Sequence, residues 1–350
     1  MLDSVASSPI LVDLSKLTLS FTNNLIRRIA FGKQHDGTHR FHDILHETQH
    51  LLGDVNIADF FPWLSWVNKF NGVDTRLERN FRELDMYYDQ VIEEHRDPSR
   101  PRLDDHEDLV DVLLGVQKNQ TQPIRLTNDQ IKGVLTDIFV AGTDTSAATL
   151  VWTMVELIKN PEAMKQAQEE ITNIVGGKEK VEESDLPKLP YLKLVLKESF
   201  RLHPPLPLLV PRETTQACTI NGYEIPAKTR VLINVKAISM NPTCWEDPDS
   251  FKPERFSGSA IDFKGRDFEL IPFGAGRRGC PGISFGAVTV ELALANLLHC
   301  FDWEMPHGME RNNIDMRQTV GLVMHKKTPL VAVATPRPCR SVEMHLKAEA

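Results

Sequence analysis

One cysteine lies in a glycine-rich stretch that reads FGAGRRGCPG and covers residues 273–282. A helical pattern follows directly, so Cys280 is predicted to stand at the N-terminus of a helix entered through Pro281 and Gly282. Unpaired backbone N–H groups and the positive end of a helix dipole stabilise a thiolate at such a position. The spacing therefore predicts an anionic sulfur ligand at Cys280.

The other residues of this stretch favour a large flat ligand beside the sulfur. Gly274, Gly276 and Gly279 allow the backbone to approach a ligand closely and to donate N–H groups to the sulfur. Arg277 and Arg278 supply cations for carboxylates on that ligand. The alternative is a buried structural cysteine beside a turn, which is where most free cysteines belong.

An acidic and a basic residue stand three positions apart at Glu198 and Arg201, and the sequence PERF follows at residues 253–256. An isolated pair at this spacing is usually a solvated surface pair worth a few tenths of a kcal/mol. If Arg255 joins the pair in the interior, removal of one partner costs about 3–5 kcal/mol. Such a triad would fix the irregular cysteine segment against the helices.

The sequence AGTDTS, residues 141–146, stands in the middle of a long predicted helix, although glycine and hydroxyl residues are poor helix formers. We expect Gly142 and Thr145 to open the helical hydrogen-bond ladder into a groove for water or a small ligand. Asp144 and Thr145 would hand protons to that groove. The alternative is that these hydroxyl groups bond back to their own helix.

The apolar spacing predicts a mainly α-helical protein with a small β-rich portion. From Leu11 to about Ile158 apolar residues repeat at three and four positions, and one long helix runs from near Thr127 to before Pro161. Two further helices follow, ended by glycine and proline signals. Residues 203–236 predict a small sheet with an Asn-Gly turn, a helix returns after residue 280, and residues 321–336 predict a final hairpin.

Three further segments have a distinct composition. DFFPWLSWVNKFNG, residues 59–72, predicts short turns of helix over a hydrophobic groove. The charged stretch RDPSRPRLDDHED, residues 96–108, is predicted to be a surface linker. Residues 241–279 are dense in Pro, Gly and Asp without periodicity, which is more typical of a functional segment than of an idle loop.

Composition excludes several classes of protein. With 350 residues, 41% hydrophobic and 25% charged, the chain is an ordinary globular protein rather than a disordered or collagen-like one. A formal charge of -8 argues against a nucleic-acid partner. The cysteines are an odd set without C-x-x-C spacing, which favours a reducing compartment: Cys218, Cys244, Cys280, Cys300 and Cys339. We expect no membrane span and no signal peptide in the sequence.

These motifs resemble one family, the cytochrome P450 haem-thiolate monooxygenases, and within it the large plant microsomal group. The stretch at residues 273–282 fits the family's cysteine loop, Phe-x-x-Gly-x-Arg-x-Cys-x-Gly, at every fixed position: Phe273, Gly276, Arg278, Cys280 and Gly282. Glu198 and Arg201 match its Glu-x-x-Arg pair, PERF its meander motif, and AGTDTS its oxygen-activation helix. The order and separation of the four motifs agree as well, so the resemblance implies the cytochrome P450 fold.

The resemblance implies that haem b, iron protoporphyrin IX, is the cofactor and that Cys280 is the proximal thiolate on its iron. It makes Asp144 and Thr145 the distal proton-delivery pair on the helix that also carries Ala141 and Gly142. Arg278 and Arg212 would bind the haem propionates. The resemblance further implies substrate contacts at Leu206, Leu208, Val210, Val320 and Leu322, and structural roles for Glu198, Arg201 and Arg255.

The implied partners are a lipophilic small molecule, O2, and an NADPH-dependent cytochrome P450 reductase that docks near the cysteine loop. Full-length members lie on the cytosolic face of the endoplasmic reticulum membrane, held by an N-terminal anchor that we expect this chain to lack. The resemblance also implies that DFFPWLSWV adds a lid. One partial domain over residues 1–350 is expected, with a helical portion 1–202, a β-rich and meander segment 203–279, a haem-proximal helix 280–300 and a C-terminal β hairpin 301–336.

Three functions stay open at this stage. The first is a haem monooxygenase of the plant secondary-metabolite class. The second is a truncated, non-catalytic chain that folds poorly or binds haem without turnover, because the first helices and the Trp-x-x-x-Arg motif of the family are not found in the sequence. The third is a haem enzyme that rearranges hydroperoxides, against which Asp144 and Thr145 argue.

Overall fold

A computed structural model describes residues 9–32, 38–54, 56–100, 107–119, 125–319 and 321–337. Val320 and Cys339 lie outside the described residues. The chain divides into two compact units. The first unit contains residues 1–18, 145–319 and 323–350, and the second contains residues 19–144 and 320–322. The division cuts the expected helical portion 1–202 at residue 144, and the expected four-part organisation stays a prediction.

Helices account for most of the described chain, as the sequence predicts. Their bounds are α1 Leu14–Phe31, α2 Thr38–Gly53, α3 Ile57–Phe60, α4 Val67–Phe70, α5 Val73–Arg96, α6 Leu109–Lys118, α7 Asn128–Lys159, α8 Pro161–Val175, α9 Pro190–Leu202, α10 Val235–Ser239 and α11 Ile283–Cys300. Short 3-10 turns lie between them, including Pro253–Phe256 and Gly276–Arg278.

Seven short strands form three small antiparallel sheets among the described residues. Their bounds are β1 Ile10–Asp13, β2 Arg212–Glu213, β3 Cys218–Ile220, β4 Tyr223–Ile225, β5 Arg230–Val231, β6 Phe301–Glu304 and β7 Val331–Pro336. The largest sheet has the order β1-β7-β6, while β2 pairs with β5 and β3 pairs with β4. The protein is therefore mainly α-helical with a small β-rich portion.

Local sequence signals set several element boundaries as predicted. The backbone N–H of Gln130 donates to Thr127 Oγ1 at 3.2 Å, which caps α7 as expected. Helix α8 ends at Gly176, whose φ of 64° is unfavourable for other residues. Asn221 and Gly222 have φ angles of 50° and 83°, as a two-residue hairpin turn between β3 and β4 requires.

Three expectations about local structure are corrected. The described part of residues 321–336 contributes one strand, β7, so a hairpin within these residues alone is wrong. One of its antiparallel partners is β6, Phe301–Glu304, which lies within the wider C-terminal segment 301–336. Ile10–Asp13 forms a strand instead of starting the helical pattern, because β7 supplies a partner. The charged stretch at residues 96–108 is only partly a surface linker, since the Arg100 side chain is 13% exposed and pairs with Asp108.

Each unit has its own hydrophobic core. In the first unit the second half of α7 packs with α8, α9 and α11, and Trp152, Leu192 and Leu294 are almost fully buried. In the second unit Phe31, Phe41 and neighbouring aromatic rings form the centre, with Phe41 and Tyr87 stacked at 4.2 Å. Burial of aromatic side chains supplies a large apolar area and fixes ring geometry.

The aromatic segment at residues 59–72 adopts short helical turns, as predicted, but exposes its rings. Trp63 is 70% exposed and Phe70 82%, so these two side chains do not cover a groove in the described structure. The lid expected here stays a prediction.

Among the described residues, two helices, α7 and α11, are long and apolar enough to span a membrane, although no span is expected from the sequence. Length and composition do not distinguish a membrane span from a core helix. Most of the apolar stretch of α7 is buried by the rest of the chain, as in a core helix.

Candidate functional site

The loop that carries Cys280 is closed by short backbone hydrogen bonds. The Cys280 N–H donates to the carbonyl of Phe273 at 2.8 Å, and the Gly279 N–H donates to Gly276 at 3.0 Å. These bonds hold the cysteine at a fixed point while its side chain is exposed. The four described cysteines, Cys218, Cys244, Cys280 and Cys300, are all free thiols.

Two glycines of the loop have conformations that other residues adopt at a cost. Gly274 and Gly276 have φ angles of 70° and 68°, in the left-handed region. A Cβ atom at Gly282 would lie 3.9 Å from Cys280 Sγ, so a side chain there would occupy space beside the sulfur. Glycine therefore permits a left-handed backbone at positions 274 and 276, and at position 282 it places no side-chain atom beside the sulfur.

The loop leads into helix α11, with Gly282 as its N-cap residue. The Gly286 N–H donates to the Gly282 carbonyl at 2.8 Å, which closes the first turn. Cys280 therefore stands two residues before the cap of an 18-residue helix. The positive end of the helix dipole favours an anion at this position.

Phe273 anchors the start of the loop to the core of the first unit. Its ring lies 5.1 Å from that of Phe200 on α9 and 5.6 Å from that of Phe263, in tilted or edge-to-face geometry. Edge-to-face pairs of this kind contribute about 0.5–1.5 kcal/mol beyond area burial. Movement of the loop would separate these rings.

The structure brings Glu198, Arg201 and Arg255 together in the interior. Arg201 donates to both carboxylate oxygens of Glu198 at 2.8 Å, and neither side chain is exposed. Arg255 Nε donates to Glu198 Oε1 at 2.9 Å. Arg201 also donates to the carbonyls of Pro248 at 2.7 Å and Ser250 at 3.1 Å. The cluster therefore fastens the irregular segment before the cysteine loop to α9.

Arg212 contacts the cysteine loop from strand β2. Its Nη2 donates to the backbone carbonyl of Arg278 at 2.8 Å. The Arg277 and Arg278 residues are exposed. The two residues expected to bind propionates, Arg212 and Arg278, are thus adjacent, although their contact is between a guanidinium group and a carbonyl.

Helix α7 is continuous from Asn128 to Lys159, so the expected opening at Gly142 is not seen. A Cβ atom at Gly142 would lie 3.0 Å from Ile26 Cδ1, and close packing against α1 therefore explains this glycine. Thr149 Oγ1 donates to the Thr145 carbonyl at 2.8 Å, a back-bond within the helix. Asp144 is buried and Thr145 is half-buried, while Ala141 is exposed.

The predicted distal residues do not all lie in one unit. Ala141, Gly142 and Asp144 belong to the second unit, whereas Thr145 belongs to the first, together with the Cys280 loop. The boundary falls between positions 144 and 145 of α7.

The expected substrate contacts are distributed in the same way. Leu206, Leu208 and Val210 belong to the first unit, where Leu208 is 42% and Val210 52% exposed. Leu322 belongs to the second unit, and its backbone N lies 3.0 Å from a Cβ atom built at Gly53. Val320 lies outside the described residues.

Leu209 is a residue that the sequence analysis missed. It has a φ of 51°, is 7% exposed and packs with Val235 and Ile271. Its Cδ1 lies 3.6 Å from a Cβ atom built at Gly274, so it contacts the cysteine loop. A β-branched or larger side chain at a positive φ carries strain, and a buried leucine there has no sequence signal.

A buried aromatic cluster in the first unit was missed as well. The Trp152 and His203 rings stack at 4.4 Å, and His203 Nε2 lies 2.7 Å from Glu156 Oε1. Burial lowers the pKa of His203, although Glu156 opposes this effect. Trp152 Nε1 donates to the Met324 carbonyl at 2.8 Å, which ties α7 to the C-terminal segment.

Comparisons with known proteins identify the family. The family model for Cytochrome P450 matches residues 1–333. Cytochrome P450 71A9 of Glycine max is 58% identical over 342 residues, which cover 96% of this chain and 68% of that protein. Strychnine-11-hydroxylase of Strychnos nux-vomica is 54% identical over 345 residues, covering 97% of this chain and 68% of that protein. A solved zebrafish cytochrome P450 with progesterone has a TM-score of 0.77 at 27% identity, covering 93% of this chain and 72% of that one.

The chain therefore belongs to the cytochrome P450 family, and within it to the plant A-type group. It has the cytochrome P450 fold and is a P450 monooxygenase. Its length is about two thirds of that of the plant relatives it matches.

The residues around Cys280 fit the family's cofactor, haem. The donor is a thiol that is exposed, fixed through its own backbone N–H and placed just before a helix N-terminus. The sulfur of cysteine is one of the axial ligands that haem iron accepts. Glycine at position 282 places no side-chain atom beside that sulfur, and an added Cβ would lie 3.9 Å from it, at ordinary van der Waals distance.

Proposed function

We propose that this chain inserts one oxygen atom of O2 into a lipophilic small molecule of plant secondary metabolism, with Cys280 Sγ as the axial ligand of haem iron. The observation that carries this proposal is the exposed Cys280 thiol, held by the 2.8 Å bond from its N–H to the Phe273 carbonyl. Haem bound through a thiolate supplies the electron donation that favours O–O cleavage.

In this proposal the chain positions the sulfur and balances its charge. The rings of Phe200 and Phe263 hold Phe273, and the backbone bond transmits that anchoring to Cys280. The N-terminus of α11 stabilises the anionic sulfur. Arg212 and Arg278 would bind the haem propionates, a role supported by their adjacency and by the strength of guanidinium–carboxylate hydrogen bonds.

Asp144 and Thr145 would hold and deliver the protons that oxygen activation consumes. Their support is the match of AGTDTS to the family's motif and the burial of the Asp144 carboxyl group on an apolar helix. A Thr145→Ala variant should keep the haem and continue to consume NADPH, but it should form less product for each NADPH consumed. Product and NADPH would be measured together, with Thr149→Ala as the matched variant because its hydroxyl group is already bonded to the helix.

The substrate would contact Leu206, Leu208, Val210, Val320 and Leu322, which are apolar and suit a lipophilic molecule. The relative from Strychnos nux-vomica is named a strychnine hydroxylase, which supports a polycyclic plant metabolite as the substrate class. Profiling of products from a lipophilic metabolite panel tests this assignment. Conversion of polar sugars or amino acids alone would contradict it.

Electrons would come from NADPH through a cytochrome P450 reductase on the cytosolic face of the endoplasmic reticulum. The support is family membership together with two exposed arginines, Arg277 and Arg278, beside the cysteine loop. An acidic partner would be attracted to these cations, and its association would slow at high salt. An Arg277→Glu variant should slow reduction by the reductase while dithionite reduction is unchanged.

The decisive experiment is the carbon monoxide difference spectrum of the reduced protein. The parent chain should give the red-shifted band of a thiolate-ligated haem, and Cys280→Ala should abolish it. Cys244→Ala is the matched control because Cys244 is also an exposed free thiol. If Cys280→Ala kept the band, the ligand assignment would be wrong. If the parent gave no band, the chain would be the non-catalytic alternative.

A further inference from the structure

A cavity of about 560 Å³ lies in the first unit, between the C-terminus of α7, the end of α9, helix α10 and residues 249–252. No residue of the cysteine loop lines it. Its volume is within the range of small-molecule sites, about 300–1,000 Å³. Its lining includes three lysines, Lys159, Lys236 and Lys252.

Positive charge exceeds negative charge along this lining. The three lysines face two carboxylates, Glu156 and Asp249, and burial lowers the pKa of His203. Glu156 Oε1 is engaged by His203 Nε2 at 2.7 Å. Lys252 pairs with Asp247 just outside the lining, so Lys159 and Lys236 are the lining lysines that have no carboxylate oxygen within 4.0 Å among the described residues, which suits a monoanion.

Lys236 is the cation with the least compensation. Its Nζ donates to the Leu202 carbonyl at 2.5 Å, and within the described residues no carboxylate oxygen lies within 4.0 Å of it. The same holds for Lys159, whereas Lys252 pairs with Asp247 at 2.6 Å. Burial lowers the pKa of Lys236, because desolvation disfavours the ammonium form. An anion beside Lys236 would stabilise the ammonium form, which burial destabilises.

Apolar side chains complete the lining. Met240, Phe251 and Met316 contribute carbon and sulfur surface next to the lysines. A mostly polar site with two lysines that have no carboxylate partner, and with a smaller apolar part, matches a ligand that has one anionic group on a small apolar body.

We propose that this cavity binds a small monocarboxylate with an apolar body, its carboxylate between Lys159 and Lys236. The site is separate from the one at Cys280, and its occupation does not depend on the haem. The ligand lies close to His203, whose ring stacks on Trp152.

The test is calorimetric titration of the full chain with benzoate and hexanoate, compared with the neutral amides benzamide and hexanamide. At least one carboxylate should bind at least tenfold more tightly than its amide. Lys236→Met and Lys159→Met should each weaken that binding at least tenfold, and Lys236→Arg should keep it. Lys165→Met, an exposed lysine on α8 outside the cavity, is the matched control.

Thermal unfolding of each variant establishes that it is folded. Lys236→Met removes the hydrogen bond to the Leu202 carbonyl, and if this variant does not fold, Lys159→Met alone tests the proposal. Binding should persist in Cys280→Ala, which separates this site from the haem site and the two proposals from each other. The proposal is overturned if neither carboxylate binds, if the amides bind equally well, or if both lysine variants bind like the parent. Tighter binding of inorganic phosphate than of either carboxylate would also overturn it.

Discussion

Each unit contains a buried carboxylate that is held by two basic side chains, but the two carboxylates have different basic partners. Glu198 has Arg201 at 2.8 Å and Arg255 at 2.9 Å, so both of its partners are guanidinium groups. Asp108 in the second unit is held by one arginine and one histidine. The first cluster therefore holds its carboxylate with two guanidinium groups, and the second with one guanidinium group and one imidazole group.

The second cluster also has a different structural task. Asp108 caps α6 by accepting from the Asp111 N–H at 3.0 Å, and it accepts from His95 at 3.0 Å and Arg100 at 2.7 Å. Arg100 further donates to the Phe31 carbonyl at 2.9 Å. Arginines of both clusters also donate to backbone carbonyls, so the clusters differ in burial and in the carboxylates that remain. Arg201 is fully buried with Glu198 as its carboxylate, whereas Arg100 is 13% exposed and also contacts Asp111, so loss of Glu198 should cost more.

The largest effect is expected at Glu198. Glu198→Ala should lower the free energy of unfolding by about 3–5 kcal/mol, because Arg201 and Arg255 would remain as buried cations without a carboxylate. Urea unfolding followed by circular dichroism measures this loss. Glu162→Ala on α8 is a matched acidic control, and an equal loss in both variants would contradict the comparison.

A smaller effect is expected at Asp108. Asp108→Asn should cost about 1–3 kcal/mol, because the amide still caps α6 but gives Arg100 no negative charge. Arg100 keeps the Phe31 carbonyl and Asp111, the latter at 3.4 Å, which limits the loss. The same urea titration applies. A cost above that of Glu198→Ala would reverse the ranking of the clusters.

The stability that the Asp108 cluster provides should also depend on pH. Burial alone would raise the pKa of Asp108, but hydrogen bonds from His95 and Arg100 outweigh it and lower the pKa from 3.8 to about 2. A carboxyl group whose pKa is lower in the folded chain stabilises it above pH 3.8, and this contribution is lost as the pH falls towards 2. The loss should be about 2 kcal/mol.

Unfolding free energies of the parent and Asp108→Asn between pH 5 and pH 2.5 measure this contribution. The difference between the two proteins should shrink as the pH falls through this window. A constant difference would mean that Asp108 titrates as in the unfolded chain.

The smallest effect is expected for an exposed pair. Arg82 and Glu78 form an ion pair one turn apart on α5, and their side chains are 70% and 64% exposed. Arg82→Ala should change the free energy of unfolding by about 0.5 kcal/mol or less, because water and salt screen the pair. A loss above 1 kcal/mol would contradict the expectation that exposed ion pairs contribute much less to stability than the buried clusters.

The Glu198 cluster could be anticipated because its members carry a local signal. Glu198 and Arg201 are three positions apart on a helix, and PERF has a recognisable composition. The Asp108 cluster carries no such signal, since its charged and proline-bearing stretch is typical of a surface linker. The bond from Arg100 to the Phe31 carbonyl joins positions that no local pattern connects.

The same distinction separates the predicted helices from the missed strand. The start of α7 and the end of α8 follow from capping and glycine signals within a few residues. Strand β1 depends on β7 at the other end of the chain, so its short sequence alone does not predict it. Leu209 and the stack of Trp152 on His203 were missed for the same reason: tertiary packing, rather than local sequence, sets them.

The conformation of Leu209 has a consequence for changing what the enzyme accepts. Its neighbours Leu208 and Val210 are about half exposed, whereas Leu209 itself is buried against the loop that carries Cys280. Under the proposed roles, substitutions at Leu208 and Val210 change exposed positions, whereas a substitution at Leu209 disturbs a residue that contacts the cysteine loop. A selection for new substrates that follows the proposed roles would therefore vary the two outer positions and hold the middle position fixed.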